Sequence, residues 1–249
     1  MSHPLLKPVA WLALQLLLLA LGLMSLCWNA VALLAWPLLP RERGKRIGRA
    51  GISFGYAAFW WLARRSGLLR MDASALDALA TERGLIVAAN HPSLLDALML
   101  VARLPRSVCI MKASLMRNPF LGPGARLAGY VHGESGAAIV RLAVRELRDG
   151  GQIVMFPEGT RSTRRPMNPL RPGFTTIAKL APAPVQTVFI ETASPYLGKH
   201  WPLWRLPPLP IEFRVRLGRR FAPQDDALAL LHEIEAYFSA RLSATATPP

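Results

Sequence analysis

The chain has 249 residues, 52% of them hydrophobic, and its 30 lysines and arginines against 15 aspartates and glutamates leave a formal net charge of +15. That length suits one α/β domain with room for an extra element, and such a chain can bury a sizeable core. Only Cys27 and Cys109 are present, expected as two buried free thiols, so a disulfide scaffold and a C-x-x-C metal site are excluded. The basic balance directs attention to anions: nucleic acid, anionic lipid headgroups or substrates carrying phosphate.

From Val9 to Leu39 no residue is charged. A bilayer core needs about 20 apolar residues as a helix, so this run is long enough to span one. Trp11, Trp28 and Trp36 fall where interfacial indoles sit. The run is too long for a signal-peptide core, and the large Leu26 before Cys27 argues against a lipoprotein site. An uncleaved anchor is therefore expected. Lys7 alone precedes it, whereas Arg41, Arg43, Lys45, Arg46 and Arg49 follow, which places the C-terminal side in the cytoplasm of an inner-membrane protein. Ile47 to Arg65 is aromatic-rich and reads either as a helix lying on the membrane surface or as a core helix. Whether the two segments form a span or a re-entrant hairpin stays open.

Past Gly67 the pattern becomes that of an alternating domain. Leu85–Ala89, Val108–Met111, Ile153–Phe156, Val185–Ile190 and Ile211–Leu217 read as strands. Ser93–Arg103 (with Ser93 as N-cap), Ala137–Arg148, Phe174–Leu180 and a last helix capped by Asp225 or Asp226 and running to about Leu242 alternate with them. Asn118 to Gly124 reads as a turn-rich connection. The expected fold is α/β, a mostly parallel central sheet flanked by helices, with an N-terminal membrane-associated helix or helix pair. The expected organisation is a membrane segment over 1–66, a main domain over 67–243 and a disordered tail over 244–249.

Two strings carry chemistry, each at the C-terminal end of an expected strand, where ligands bind in such sheets. In Asn90-His91-Pro92-Ser93-Leu94-Leu95-Asp96 the histidine is five residues ahead of the aspartate. Histidine suits proton transfer near neutral pH. Pro92 biases His91 away from helix, and Asp96, one turn into the following helix, is in a position to turn back to the ring and fix its tautomer. Ser93-x-x-Asp96 also fits a capping arrangement that only stabilises the helix start. No serine or cysteine stands in a nucleophile elbow, so a substrate hydroxyl or amine is the expected attacker.

In the second string, Phe156-Pro157-Glu158-Gly159-Thr160-Arg161-Ser162, Gly159 allows close backbone approach and Arg161 offers a planar fork of donors for phosphate. Glu158 can accept from substrate hydroxyls or from Arg161, and a plain strand-to-turn junction with a local salt bridge is the competing reading. Thr163, Arg164, Arg165 and Arg171 extend the basic stretch.

His91-x-x-x-x-Asp96 followed some 60 residues later by Phe156-Pro157-Glu158-Gly159-Thr160-Arg161 resembles the lysophosphatidic acid acyltransferase family, the 1-acylglycerol-3-phosphate O-acyltransferases and related glycerolipid acyltransferases, over roughly residues 45 to 220. The resemblance implies an acyltransferase domain at the cytoplasmic membrane surface, moving a fatty acyl group from acyl-CoA or acyl-carrier protein to a lysophospholipid acceptor. It implies His91 as general base, Asp96 as its orienting partner, and Glu158, Gly159 and Arg161 as binders of the phosphorylated acceptor. Thr160 and Lys112 join these as candidate substrate-binding residues, with no metal and no cofactor beyond the donor. The chain departs from the family pattern at Gly129-Tyr130-Val131-His132-Gly133, where the family places an arginine, and at Thr187, where it places a proline. A lyso-ornithine-type or polyene-lipid acceptor is an alternative, as is an inactive basic protein that binds the membrane surface. Nucleic-acid binding rests on charge alone, and no recognition motif supports it.

Overall fold

The computed structural model describes residues 6–133 and 135–246. Among the described residues, seven strands form one sheet: β1 Leu69–Asp72, β2 Leu85–Ala89, β3 Ser107–Lys112, β4 Val131–Gly133, β5 Gln152–Met155, β6 Val185–Glu191 and β7 Ile211–Phe221, in the spatial order β1-β7-β6-β2-β5-β3-β4. β6, β2, β5, β3 and β4 run parallel, so their C-terminal ends share one edge. β7 is antiparallel to β6, and β1 pairs parallel with β7. Leu85-Ile86-Val87-Ala88-Ala89 is buried at every position, the mark of a central strand covered on both faces. Thr187 sits at a register shift between β6 and β7, and its hydroxyl donates to the Arg219 carbonyl across the irregular pairing.

The α-helices of the described residues are α1 Leu6–Ala35, α2 Arg41–Arg65, α3 Asp96–Arg103, α4 Gly122–Ala128, α5 Gly136–Arg148, α6 Gly173–Leu180 and α7 Ala227–Ala246. α1 is long and apolar enough to cross a membrane, and only 17% of its apolar window is buried. It is nevertheless tied to the body at both ends. Near its start Trp11 Nε1 donates to the Trp204 carbonyl (2.7 Å) and Gln15 Nε2 to the Leu203 carbonyl (3.0 Å). Near its end Asn29 donates to the Phe120 carbonyl (2.8 Å) and accepts from Gly124 N–H (2.7 Å) at α4. Its outward face is unpacked, which is why Cys27 is exposed rather than buried; Cys109 on β3 is buried as expected.

α2 begins six residues before the expected segment and packs along one face as the core-helix reading expects. Gly44, Gly48, Ile52, Phe59, Trp60 and Ala63 form a buried stripe at helical spacing, with Trp60 edge-on to Phe213 of β7 at 6.2 Å. A Cβ on Gly48 would come within 2.5 Å of the Ala128 backbone, so glycine sets how closely α2 approaches α4. The opposite face exposes Phe54 and Trp61.

Other differences are local. α3 starts at Asp96, not Ser93, because the 93–95 segment turns to let the Asp96 carboxylate meet Ser93 N–H. The Asn118–Gly124 connection contains the first turn of α4. Asp226 rather than Asp225 caps α7, accepting from Leu228 and Ala229 N–H. α7 runs through Ala246, into the stretch expected as a tail, and residues 247–249 lie outside the described residues.

Candidate active site

β2 delivers the first motif. At its end the Asn90 side chain bridges to β6, donating to the Ile190 carbonyl at 2.9 Å and accepting from Ile190 N–H at 2.7 Å. This bracket continues the ladder by one rung and fixes where His91 leaves the sheet. Two further carbonyls of the loop after β6 hold the next residues: Ser93 Oγ donates to Tyr196 O (3.0 Å) and Leu94 N–H to Leu197 O (3.0 Å).

His91 Nδ1 lies 2.8 Å from Asp96 Oδ2. A carboxylate only accepts, so Nδ1 carries the proton and Nε2 keeps its lone pair. The imidazole stacks on Phe156 of the second motif, centroids 3.9 Å apart and planes within 16°. Asp96 fixes the ring in its plane and Phe156 holds it face-on. The His91 side chain keeps 17% of its surface exposed while Asp96 has none. Asp96 Oδ2 also accepts Ser93 N–H at 2.7 Å, and Oδ1 is buried without a partner. Burial pushes the Asp96 carboxyl up to about 6, opposed by the hydrogen bonds from His91 and Ser93. The capping and orienting readings therefore coexist in one carboxylate.

The second motif leaves β5, which pairs directly with β2, so the two strings meet. Glu158 is buried, and both its oxygens accept from protein donors. Oε1 takes His91 N–H (3.0 Å) and Ser162 Oγ (2.7 Å); Oε2 takes Asn168 N–H (2.9 Å). Ser162 N–H returns to the His91 carbonyl at 2.7 Å. Glu158 does not pair with Arg161. Instead Arg161 Nη1 donates to the carbonyls of Leu197 (2.8 Å) and Gly198 (3.0 Å), which leaves Nε and Nη2 uncommitted among the described residues. Leu197 holds φ +54°, a conformation that costs a branched residue energy and that its two carbonyl bonds help to impose.

Gly159 has φ +69°, and a Cβ there would lie 2.6 Å from Arg171 Nε. Thr160 is half-buried beside it. Lys112 is exposed at the C-terminal end of β3, on the same sheet edge, with no bond to the other motif residues among those described. His132, on β4, contacts the Tyr130 carbonyl through Nδ1 (3.0 Å). Phe156, Asn90 and Asn168 were not singled out as candidates. Phe156 and Asn90 stood inside the motifs, but only the pairing of β2 with β5 and β6 reveals what they touch.

Residues 70–191 match the acyltransferase family model. The 1-acyl-sn-glycerol-3-phosphate acyltransferase beta of Homo sapiens is 27% identical over 186 residues, covering 69% of this chain and 63% of the human protein. The matched region thus spans less than two thirds of that relative. The crystal structure of the 1-acyl-sn-glycerophosphate (LPA) acyltransferase PlsC from Thermotoga maritima covers 98% of this chain and 99% of its own, with a TM-score of 0.70 at 19% identity. That likeness shows a shared fold, the N-terminal helices included.

Proposed function

We propose, from the match of residues 70–191 to the acyltransferase family model, that this chain transfers a fatty acyl group from acyl-CoA or acyl-carrier protein to a hydroxyl of a lysophospholipid, with 1-acylglycerol-3-phosphate as the first acceptor to test. The observation that carries the reading is the His91–Asp96 pair at 2.8 Å, with its free ring nitrogen at the sheet edge. Nε2 of His91 takes the proton from the acceptor hydroxyl as that oxygen attacks the thioester carbonyl. Asp96 steadies the imidazolium that forms. The tetrahedral intermediate collapses, the C–S bond breaks, and the proton passes from His91 to the departing thiolate. An ester and a free thiol result. No protein nucleophile is needed.

Arg161, its guanidinium anchored at one end by two carbonyls, is placed to offer its remaining N–H groups to the acceptor phosphate, with Thr160 and Lys112 as further contacts. Glu158 acts as a positioning residue, since its oxygens hold the two loops together. We place α1 in the cytoplasmic membrane and the sheet on its cytoplasmic side. The name of the human relative supports the phosphorylated acceptor; the lack of an arginine in the stretch Gly129–Gly133 keeps other lysolipids as test substrates.

The deciding assay is acyl transfer by the purified full chain in detergent with acyl-CoA or acyl-carrier protein and a panel of lysolipids. His91→Ala should lose on the order of 10²–10⁴-fold in rate. A variant with the wild-type rate would overturn the assignment.

A further inference from the structure

A second basic site lies away from both motifs. A cavity of about 670 Å³ opens where α1 turns into α2, walled by Trp36, Arg41, Lys45, Arg126, Tyr130 and Arg145 among others. None of the residues of the two catalytic strings lines it. Its volume is in the range of ligand sites.

The charges there are unevenly satisfied. Lys45 pairs with Glu42 at 2.9 Å, and the wall residue Glu146 is taken by Arg49 at 2.7 Å. Arg41, Arg126 and Arg145 have no carboxylate within ion-pair distance among the described residues, and Asp149 at the wall pairs with none of them. Arg126 lies instead over the Trp36 ring at 5.3 Å. Uncompensated cations around one cavity call for an anion with several acceptor oxygens.

The surroundings specify what carries that anion. Leu34, Trp36 and Leu38, at the end of the apolar helix, are 71%, 51% and 80% exposed. An apolar face ending at a tryptophan and a ring of arginines is the profile of a bilayer interface. We infer that this cavity binds the headgroup of an anionic glycerophospholipid of the surrounding leaflet, its chains lying along the exposed leucines of α1. The inference rests on the membrane location proposed above but not on acyl transfer. The bound lipid pins the α1–α2 turn to the leaflet and is not the acceptor.

The test uses the full chain, delipidated in detergent, with phosphatidylglycerol or phosphatidylcholine added to the micelles and retained lipid counted by native mass spectrometry. Phosphatidylglycerol should be retained and phosphatidylcholine should not. The triple variant Arg41→Gln, Arg126→Gln, Arg145→Gln should weaken retention at least about tenfold, and the corresponding triple lysine variant should recover much of it. His91→Ala should retain lipid like the wild type, whether or not the wild type turns over, which separates this inference from the proposed activity. Equal retention of both lipids, or full displacement by millimolar inorganic phosphate, would overturn it. So would a triple variant that keeps its phosphatidylglycerol but raises the KM for a lysolipid acceptor, because the cavity would then belong to the acceptor.

Discussion

The main-chain N–H of His91 donates to Oε1 of Glu158 at 3.0 Å, and this bond joins the loop that carries the imidazole to the loop that carries the guanidinium. Ser162 and Asn168 complete the clamp on the same carboxylate. A buried acceptor serving three donors is sensitive to any change in its hydrogen-bonding pattern.

Glu158→Gln puts an NH₂ group against at least one N–H or O–H donor. The expected outcome is a loss of about 1–3 kcal/mol in stability together with a fall in kcat. A residue that merely touched the acceptor would raise KM and leave thermal unfolding unchanged. Melting curves and kinetics on the same preparation separate the two.

Asp96 sets the pH dependence. Its folded-state value, about 6, lies above the unfolded value near 3.9, so the folded protein holds that proton more tightly. The stability this group contributes is present below about pH 4 and is lost as pH rises through about 6, on the order of 3 kcal/mol in all. Asp96→Asn is neutral throughout. Its Tm relative to wild type should therefore climb between pH 4.5 and 7.5. On the proposed mechanism activity runs the opposite way. Below about pH 6 a protonated Asp96 no longer steadies the imidazolium, so kcat/KM of the wild type should fall on the acid side, while Asp96→Asn should be slower by about 10²–10⁴-fold at pH 7.5. A flat wild-type profile from pH 5 to 8 would remove Asp96 from the mechanism.

How far the chain could be read beforehand depended on the range of the interaction. Strands β2, β3, β5, β6 and β7 and helix α5 followed from local apolar runs and spacing. Strand β1 escaped notice because Leu69-Arg70-Met71-Asp72 is too short to show a period, and it exists by pairing with β7, more than 100 residues away. Helix α4 was hidden by Gly122-Pro123-Gly124, a turn signature. Proline is tolerated in a first helical turn. The glycines there answer to packing instead: a Cβ at Gly122 would strike the Met116 carbonyl, and one at Gly124 would approach Trp28. Within the site, residue identity was legible and partnership was not. Arg161 turned to carbonyls of a loop 36 and 37 residues on, and no local pattern encodes that choice.

Gly159→Ala tests the turn that separates Glu158 from Arg161. At φ +69° an alanine costs about 1–2 kcal/mol, and its methyl would also displace Arg171 from its place 2.6 Å away. Activity should drop more than stability, with the loss appearing in KM for a phosphorylated acceptor. Equal KM values for alanine and glycine enzymes would show that the turn does not shape the acceptor site.

The loop after β6 connects the apolar helix α1 to the site. Its Leu203 and Trp204 carbonyls receive Gln15 and Trp11 of α1, and its Leu197 and Gly198 carbonyls hold Arg161. The double variant Trp11→Phe, Gln15→Leu keeps α1 apolar, so its partition into detergent micelles or vesicles should match that of the wild type. It removes both donors. Hydrogen exchange across residues 196–204 should then accelerate, since the loop keeps its remaining bonds but loses its outer tether. The KM for the acceptor should rise because Arg161 is loosened, and kcat should fall with it, because the Tyr196 and Leu197 carbonyls of the same loop hold Ser93 and Leu94 beside His91–Asp96. Unchanged exchange in 196–204 would mean that α1 serves as an anchor alone and does not brace the site.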